Sequence, residues 1–304
     1  MKNIFTYSTA FVLGLALVAT PEADAQQFSK RKQYNSVGFS LNAMNYFGDV
    51  VPVTNFTSLR FGATRVGAGV SITRRFYPRL SGRFGLSYGR ISGDDSKAAD
   101  QNGPDSKFRY NRNFSFRNDI AEASAVAIFD LIENRNNYLK RPDFVPYVFA
   151  GVAGFYSNPK GLVGKNTEGL SEGSYVALAD YKTEGQANAY GQTQFAIPFG
   201  GGIRYRINRN FDASLEIGWR KTFTDYIDDV GGKYADVRTL AAGPQRYFGN
   251  GITRSITESN GQFPDFTSPA SQRGDKGNKT DWYIVTGVTL NYILTPRIKN
   301  PKFR

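Results

Sequence analysis

The chain has 304 residues, enough for one large domain, and a formal net charge of +12. It contains neither cysteine nor histidine, which excludes disulfides, cysteine nucleophiles, Cys/His zinc sites and a histidine general base. Lysine and arginine are scattered along the chain rather than clustered, so the positive charge does not indicate nucleic-acid binding. Glycine and aromatic residues are enriched, which favours β-structure with aromatic girdles.

The first 25 residues predict a cleavable signal peptide. Lys2 provides a short positive region, Phe11 to Val18 form an apolar segment, and Ala23-Asp24-Ala25 fits the small-residue cleavage pattern. The alternative is an N-terminal membrane anchor, for which the apolar segment is too short. We therefore expect an exported protein whose residues 26–304 form one barrel domain.

Apolar residues alternate with small or polar ones along much of the remaining chain, which is the pattern of a half-buried β-strand. In VGFSLNAMNYFG, Val37, Phe39 and Leu41 share one face, while Gly38 and Ser40 lie on the other. The same alternation predicts strands over residues 65–76, 80–90, 197–207, 211–223 and 282–293.

Two further segments have a weaker pattern. Residues 146–156 carry the glycines and aromatic residues of a strand but are apolar on both faces. Residues 114–131 alternate only loosely, and their alanine-rich part is also compatible with a helix. If both segments are strands, the total is eight.

The connections between these segments fall into two alternating classes. They are short at residues 77–79, 133–143 and 208–210, and long at residues 49–59, 92–113, 157–193 and 227–281. Transmembrane barrels have short periplasmic turns and long extracellular loops. The sequence thus predicts an all-β fold, an eight-stranded antiparallel up-and-down transmembrane β-barrel in the cell outer membrane. A soluble β-sandwich or a lipocalin-like cup is the alternative.

Charged residues occupy the inner face of the predicted hairpin formed by residues 197–223. Arg206 falls opposite Asp212, and Arg204 lies diagonal to Glu216, so each pair is expected to attract. An eight-stranded barrel is filled by its inward side chains, which disfavours an open pore. Aromatic residues near strand ends, expected in interfacial belts, are Trp219, Trp282 and Tyr292.

The stretch RKTFTDYIDDV begins on the seventh predicted strand and places three acids beside the longest loop. They are Asp225, Asp228 and Asp229. One interpretation is that these acids pair with Arg220 and other arginines and fix the loop base over the barrel. A second is a divalent-cation site, since oxygen ligands suit Ca²⁺, although no EF-hand spacing is present. A third is a catalytic carboxylate pair, for which no substrate site is apparent.

Several of these segments together resemble the PorG-type outer-membrane barrels associated with the type IX secretion system of Bacteroidota. The matching stretches are NYFGDV, PYVFAGVAGFYSNPKG, IPFGGGIRYRI and LEIGWRKTFTDYIDDVGGKY. Glu122 resembles a recurrent acid of the family's fourth strand. The last stretch carries the family's acid, G-x-R and T-D-Y-x-D-D-V positions at Glu216, Gly218, Arg220, Thr224, Asp225, Tyr226, Asp228, Asp229 and Val230. The family commonly has serine after D-D-V, where this chain has Gly231 and Gly232, which predicts a looser turn.

The resemblance implies a non-enzymatic accessory role without cofactor, linking the outer membrane to a periplasmic secretion ring or to the gliding machinery. The expected partners are outer-membrane lipid or lipopolysaccharide and periplasmic ring proteins. The surfaces expected to contact such proteins are the basic turn 133–143 and the basic tail 294–304, with the candidate residues Arg135, Lys140, Arg141, Arg297 and Lys299. The alternative function is surface binding, or small-solute transport, through the long loops.

Overall fold

A computed structural model describes residues 32–50, 61–98, 107–166, 168–250, 272–274 and 280–295 of the chain. The predicted signal peptide lies outside the described residues. So do Arg297 and Lys299 of the basic tail.

Ten β-strands are present in the described ranges. In chain order they are β1 (Asn35–Phe47), β2 (Arg65–Arg75), β3 (Leu80–Asp94), β4 (Ser115–Asp130), β5 (Phe144–Tyr156), β6 (Pro159–Leu162), β7 (Tyr175–Ala177), β8 (Thr193–Arg206), β9 (Phe211–Thr222) and β10 (Trp282–Leu294). All strands except β6 and β7 form the barrel, and each pairs antiparallel with its neighbours. The barrel closes where β1 pairs with β10 from Asn35↔Leu294 to Phe47↔Trp282.

The eight predicted barrel strands are confirmed, including the two with the weaker patterns. The helical alternative for residues 114–131 is wrong. Alanines at 121, 123, 125 and 127 face outward from β4, while bulkier or polar residues such as Ile120, Glu122 and Ile128 are buried on the other face. The segment therefore alternates by size rather than by polarity, which hid its period of two.

The helices lie in the connections. They are α1 (Asp95–Ala98), α2 (Lys107–Arg112) and α3 (Pro244–Gly249), with 3-10 turns at Phe61–Ala63, Tyr138–Lys140 and Val237–Thr239. Within the described part of the chain, no helix is both long and apolar enough to cross a bilayer.

The barrel has two unlike ends, here named the turn end and the loop end. At the turn end, short connections join β2 to β3, β4 to β5 and β8 to β9. The last of these is closed by Asn208, whose Oδ1 accepts from the backbone N–H groups of Asn210 and Phe211 at 2.8 and 3.0 Å. At the loop end, β3 and β4 continue beyond the barrel wall and pair with β6 and β7 in a small sheet extension.

The outer wall of the barrel is apolar and the inner wall is polar. Exposed side chains on the outside include Phe39, Val66, Phe84, Phe195 and Val288, of which Val66 is 79% exposed. A band of exposed apolar side chains on the outside of a closed sheet suits contact with lipid rather than with water. The soluble alternatives are therefore disfavoured.

Aromatic side chains mark both edges of this band. At the loop end Phe199 stacks on Trp219 and meets Trp282 edge-on, with ring centroids 6.0 and 6.2 Å apart. At the turn end Tyr292 packs against Phe211 at 5.1 Å. The predicted interfacial positions of Trp219, Trp282 and Tyr292 agree with this placement.

Candidate functional site

The lumen contains ion pairs stacked from the turn end upward. At the bottom, Asp212 accepts from the buried Arg141 at 2.6 Å. One level higher, Asp130 accepts from both Arg75 at 2.9 Å and Arg204 at 2.7 Å. Each carboxylate thus has a guanidinium partner, which buried charges require.

The middle of the lumen is occupied by Glu216. Its two carboxylate oxygens accept from Arg83, with Oε2 at 2.8 Å from Nη2, and Oε1 also accepts from Tyr147 Oη at 2.7 Å. Beside this pair is a cavity of about 80 Å³ lined mainly by serines, glycines and charged groups. Its size and polarity suit a few ordered waters rather than a continuous channel.

The upper lumen is occupied by Glu122, which accepts from Arg220 at 3.3 Å and from the Tyr283 hydroxyl at 2.7 Å. Gly218, which precedes Arg220 by two positions, makes room for this layer. A Cβ at Gly218 would come within 2.8 Å of the Phe149 ring. The glycine of the G-x-R step is therefore a packing requirement.

The predicted charge partners within the β8–β9 hairpin are wrong, although the register is right. Arg206 lies opposite Asp212, yet it pairs with Asp143 at 2.6 Å. Arg204 pairs with Asp130 on β4, and Glu216 pairs with Arg83 on β3. Closure of a narrow barrel brings side chains of distant strands across the lumen, where they compete with neighbours along the hairpin.

Above the ion pairs, aromatic residues close the loop end of the lumen. Tyr46 packs edge-on against Phe116 with centroids 5.0 Å apart, and Phe155 packs against Tyr283 at 5.8 Å. Phe248 of α3 covers this layer from the loop side. Burial of each such ring stabilises the structure by about 2 kcal/mol.

The residues that follow β9 form a cap over this layer, in which Asp228 is fully buried. Its Oδ2 accepts from the Tyr46 hydroxyl at 2.7 Å and from Val50 N at 3.2 Å, and its Oδ1 accepts from Val230 N. The same Tyr46 hydroxyl lies 2.7 Å from Oδ1 of Asp281, whose Oδ2 accepts from Ile227 N.

A tyrosine hydroxyl has one proton to donate, so it can serve only one of these two carboxylates. The other short contact requires a proton on Asp228 or Asp281. Burial, followed by the nearby carboxylates, raises the pKa of both groups well above the ordinary range. The three side chains therefore hold two protons, that of the tyrosine and one on a carboxyl group.

Asp229 anchors a second cluster in the cap. It accepts from Thr183 and Tyr190 at 2.7 Å each and from Arg273 at 3.2 Å. Arg273 also pairs with Glu184 at 2.9 Å. Burial raises the pKa of Asp229 to about 6 despite the opposing charge of Arg273. Asp229 has a φ of 72°, a left-handed conformation rare outside glycine, so these contacts hold a strained turn.

The remaining motif residues complete the turn. Thr224 Oγ1 accepts from Tyr226 N at 3.2 Å, and the Tyr226 ring stacks on Tyr190 with centroids 4.9 Å apart. Burial, with Asp49 and Glu184 nearby, raises the pKa of Asp225 to about 7.

The expected looseness after D-D-V is wrong. Glu184 Oε1 accepts from the backbone N–H groups of Gly231 and Gly232 at 3.0 and 3.1 Å. The Glu184 carboxylate therefore caps these two backbone N–H groups in place of a serine from the turn itself.

Two of the three acids of RKTFTDYIDDV, Asp228 and Asp229, therefore fix the loop base, but not through Arg220, which pairs with Glu122 below. The third, Asp225, has a buried Oδ1 without a hydrogen-bond partner among the described residues. The partners of Asp228 and Asp229 come from distant segments that the sequence pattern did not single out: Tyr46, Thr183, Tyr190 and Arg273. A further buried pair, Arg112 with Asp95 at 2.7 Å, ties α2 to α1. No group of three or more acidic side chains among the described residues has the arrangement of a metal site.

The candidate partner residues of the turn 133–143 divide into two kinds. Arg135 and Lys140 are exposed, and Arg135 pairs with Glu133 at 3.0 Å. Arg141 departs from the prediction, because it is buried. Besides the pair with Asp212, it donates to the carbonyls of Asn208 and Arg209, which ties this turn to the β8–β9 turn.

The sequence profile of the family described as a domain of unknown function (DUF6089) matches residues 23–269. The chain belongs to this family. The DUF6089 match covers β1 to β9 and the whole RKTFTDYIDDV stretch. No curated protein matches the chain.

Among solved structures, the chain is similar to outer-membrane barrels. The outer membrane protein OprG from Pseudomonas aeruginosa has 9% identity and a TM-score of 0.40, over 88% of this chain and 98% of that one. A major outer membrane protein from Thermus thermophilus has 12% identity and a TM-score of 0.38, over 86% and 99%. Neisserial surface protein A has 12% identity and a TM-score of 0.37, over 85% and 96%. These similarities do not extend to function.

Arg220→Ala is expected to lower the heat resistance of the folded barrel. Among the described residues, the substitution leaves the buried Glu122 with only the Tyr283 hydroxyl, at a cost of about 2 kcal/mol in the free energy of unfolding. The temperature at which the detergent-solubilised protein loses its compact gel mobility measures the effect. Arg220→Lys, which keeps the charge, should recover part of it. An unchanged transition temperature for Arg220→Ala would show that the pair does not stabilise the barrel.

Proposed function

We propose that this DUF6089 protein is a non-enzymatic outer-membrane barrel that anchors or assists a larger envelope assembly. The observation that carries the proposal is the filled lumen. Ion pairs, a small polar cavity and an aromatic layer follow one another from the turn end to the cap. Such an interior supports a rigid membrane scaffold better than a conduit.

The turn end would face the periplasm and the capped loop end the cell exterior, since that is the usual asymmetry of such barrels. The proposed assembly is the type IX secretion or gliding machinery. The support for this is the resemblance of the Glu216-to-Val230 stretch to PorG-type barrels, together with the fact that its Asp228 and Asp229 are buried in the base of the cap.

On the periplasmic side, the exposed Arg135 and Lys140 offer a basic surface for an acidic protein of the machinery. Arg141 supports that surface structurally through its pair with Asp212 and is not expected to contact the partner protein. The periplasmic ring of the secretion machinery is the proposed partner.

The test is cross-linking of the tagged full-length protein in outer membranes, followed by gentle solubilisation, purification and mass spectrometry. Ring components should cross-link through the turn 133–143, and Arg135→Glu/Lys140→Glu should reduce their recovery about tenfold or more. The matched control is Lys97→Glu, an exposed lysine at the loop end. Recovery of the barrel without ring components would contradict the secretion role.

Surface binding through the cap is the second candidate. It is favoured by the tight packing of the cap, which presents a preformed surface without an ordering cost. Small-solute transport has less support because the lumen is blocked at each level. Bilayer conductance at the level of an empty membrane is the expected result for the scaffold and surface-binding functions, and stable channels would contradict both.

A further inference from the structure

The outward face of the sheet extension carries a group of basic side chains just above the apolar band. On this face Arg90 lies opposite Asp119, and Arg117 lies opposite Lys160 of β6. The opposite face of the same strands is covered by the cap, where Phe248 lies against Gly161. On the outward face, the described part of the chain places the Tyr175 ring of β7 against this group.

Positive charge exceeds negative charge in this group. Among the described residues, Asp119 is the only acid paired with these cations, and it accepts from Arg90 Nε at 2.6 Å and from Lys160 Nζ at 3.3 Å. Arg117 lies over the Tyr175 ring, with Cζ 3.8 Å from the centroid. Within the described ranges its Nε has no hydrogen-bond partner and it forms no ion pair. Because this Nε is buried, the terminal Nη groups of the ring-stacked guanidinium are the donors suited to a phosphate.

The height of the group relative to the membrane follows from the register. Tyr88, Ala121 and Tyr156 form one row of outward residues across β3, β4 and β5, and both tyrosines are exposed. Tyrosines at the top of an apolar band mark the headgroup boundary.

With a rise of about 3.3 Å per residue and a tilt of about 40°, the segment from Phe129 to Ala121 spans about 20 Å of the bilayer. Arg117 then lies about 10 Å above Ala121, at the level of the headgroups.

We propose that Arg90, Arg117 and Lys160 form a binding site for a phosphorylated lipid of the outer leaflet, namely the lipid A headgroup of lipopolysaccharide. The inference rests on the proposed outer-membrane location and orientation. One phosphate would lie between Arg117 and Lys160, and the acyl chains would cover the outward alanines of β4. The excess positive charge of this group and its height at the level of the lipid headgroups together favour this anionic lipid over a protein partner.

The test measures binding of diphosphoryl lipid A to the purified full-length barrel in detergent by native mass spectrometry. Dephosphorylated lipid A and inorganic phosphate are the comparison ligands. Arg117→Gln/Lys160→Gln should weaken lipid A binding about 25-fold, since each cation near a membrane surface contributes about fivefold. Arg117→Lys should retain most of the binding. Because the assay contains no envelope partner, its result is independent of the secretion role.

The matched control is Arg74→Gln/Arg79→Gln, which removes two exposed, ring-stacked arginines at the turn end. It should leave lipid A binding unchanged. An equal loss in this control would overturn the proposal, because binding would then reflect overall charge. Equal binding of dephosphorylated lipid A, or competition by inorganic phosphate at the lipid concentration, would overturn the assignment of the headgroup. Unchanged binding in Arg117→Gln/Lys160→Gln would overturn the site itself.

Discussion

Arg83→Met is expected to lower the free energy of unfolding of the barrel by about 3 kcal/mol. The substitution removes the only guanidinium that contacts Glu216 in the described structure, so that this carboxylate retains only the Tyr147 hydroxyl in the middle of the lumen. Removing one member of a buried ion pair is costly because the remaining charge stays out of bulk water. The polar cavity beside the pair admits some solvation, which places the expected cost at the lower end of the usual range.

The measurement is urea unfolding of the protein folded into lipid vesicles, monitored by tryptophan fluorescence. The double substitution Arg83→Met/Glu216→Leu should be less destabilising than Arg83→Met alone, since no unpaired charge is left. Lys97→Met, at an exposed lysine of the loop end, serves as the control and should have little effect. A double variant no more stable than the single one would show that Glu216 is not the group that Arg83 stabilises.

The barrel was predictable because alternation is a local property of the sequence. In strands such as β1 and β9, each residue's face follows from its neighbours, and the strand bounds deviate from the prediction by only a few residues. The alternating short and long connections then indicated which strands are adjacent. The pattern was weaker for β5, which is apolar on both faces, and for β4, whose outward alanines are also common in helices.

The partners inside the lumen were not predictable in the same way. Asp212 and Arg206 are correctly opposed in the register, yet each pairs with a residue of the turn 133–143. In a narrow barrel, a charged side chain can pair with any inward side chain at the same height along the barrel axis. That height depends on the stagger between the strands. A single sequence shows the period of each strand, but it does not show how far distant strands are staggered relative to one another.

The partners of the acids in the cap could not be predicted from the sequence either, and they lie farther away along the chain. Three acids within five positions predicted a loop base fixed by Arg220 and other arginines. Asp228 and Asp229 do fix the loop base, but Arg220 pairs with Glu122, and the buried Oδ1 of Asp225 has no hydrogen-bond partner among the described residues. Tyr46 lies 182 positions from Asp228, and Arg273 lies 44 positions from Asp229. A tyrosine at the end of a strand, such as Tyr46, or an arginine in a polar loop, such as Arg273, has no spacing signal, so only the folded structure identifies these residues.

The cap should open more readily as the pH rises. In the folded cap one carboxyl proton is held between Asp228 and Asp281 through the Tyr46 hydroxyl, and burial raises the pKa of both acids. An exposed aspartate has a pKa near 3.9. A group whose pKa is raised by folding contributes stability that is complete below its unfolded pKa and is lost as the pH passes through the folded value. Asp49 and Asp229, with pKa values of about 6, add to the same trend.

The pH effect is therefore expected from about pH 4 upward, and one retained proton changes the opening equilibrium about tenfold per pH unit. Amide hydrogen exchange of residues 224–232 at pH 5, 6.5 and 8, corrected for intrinsic exchange rates, measures the opening. Asp281→Asn should reduce the dependence to the part that Asp49 and Asp229 contribute, because its amide N–H can donate to the Tyr46 oxygen while its carbonyl accepts from Ile227 N. Asp236→Asn, at a partly exposed acid of the same loop, should retain the wild-type dependence. Opening that is equally frequent at pH 5 and pH 8 in the wild type would mean that no proton is held between Asp228, Tyr46 and Asp281, and that one of the two short contacts is broken in solution.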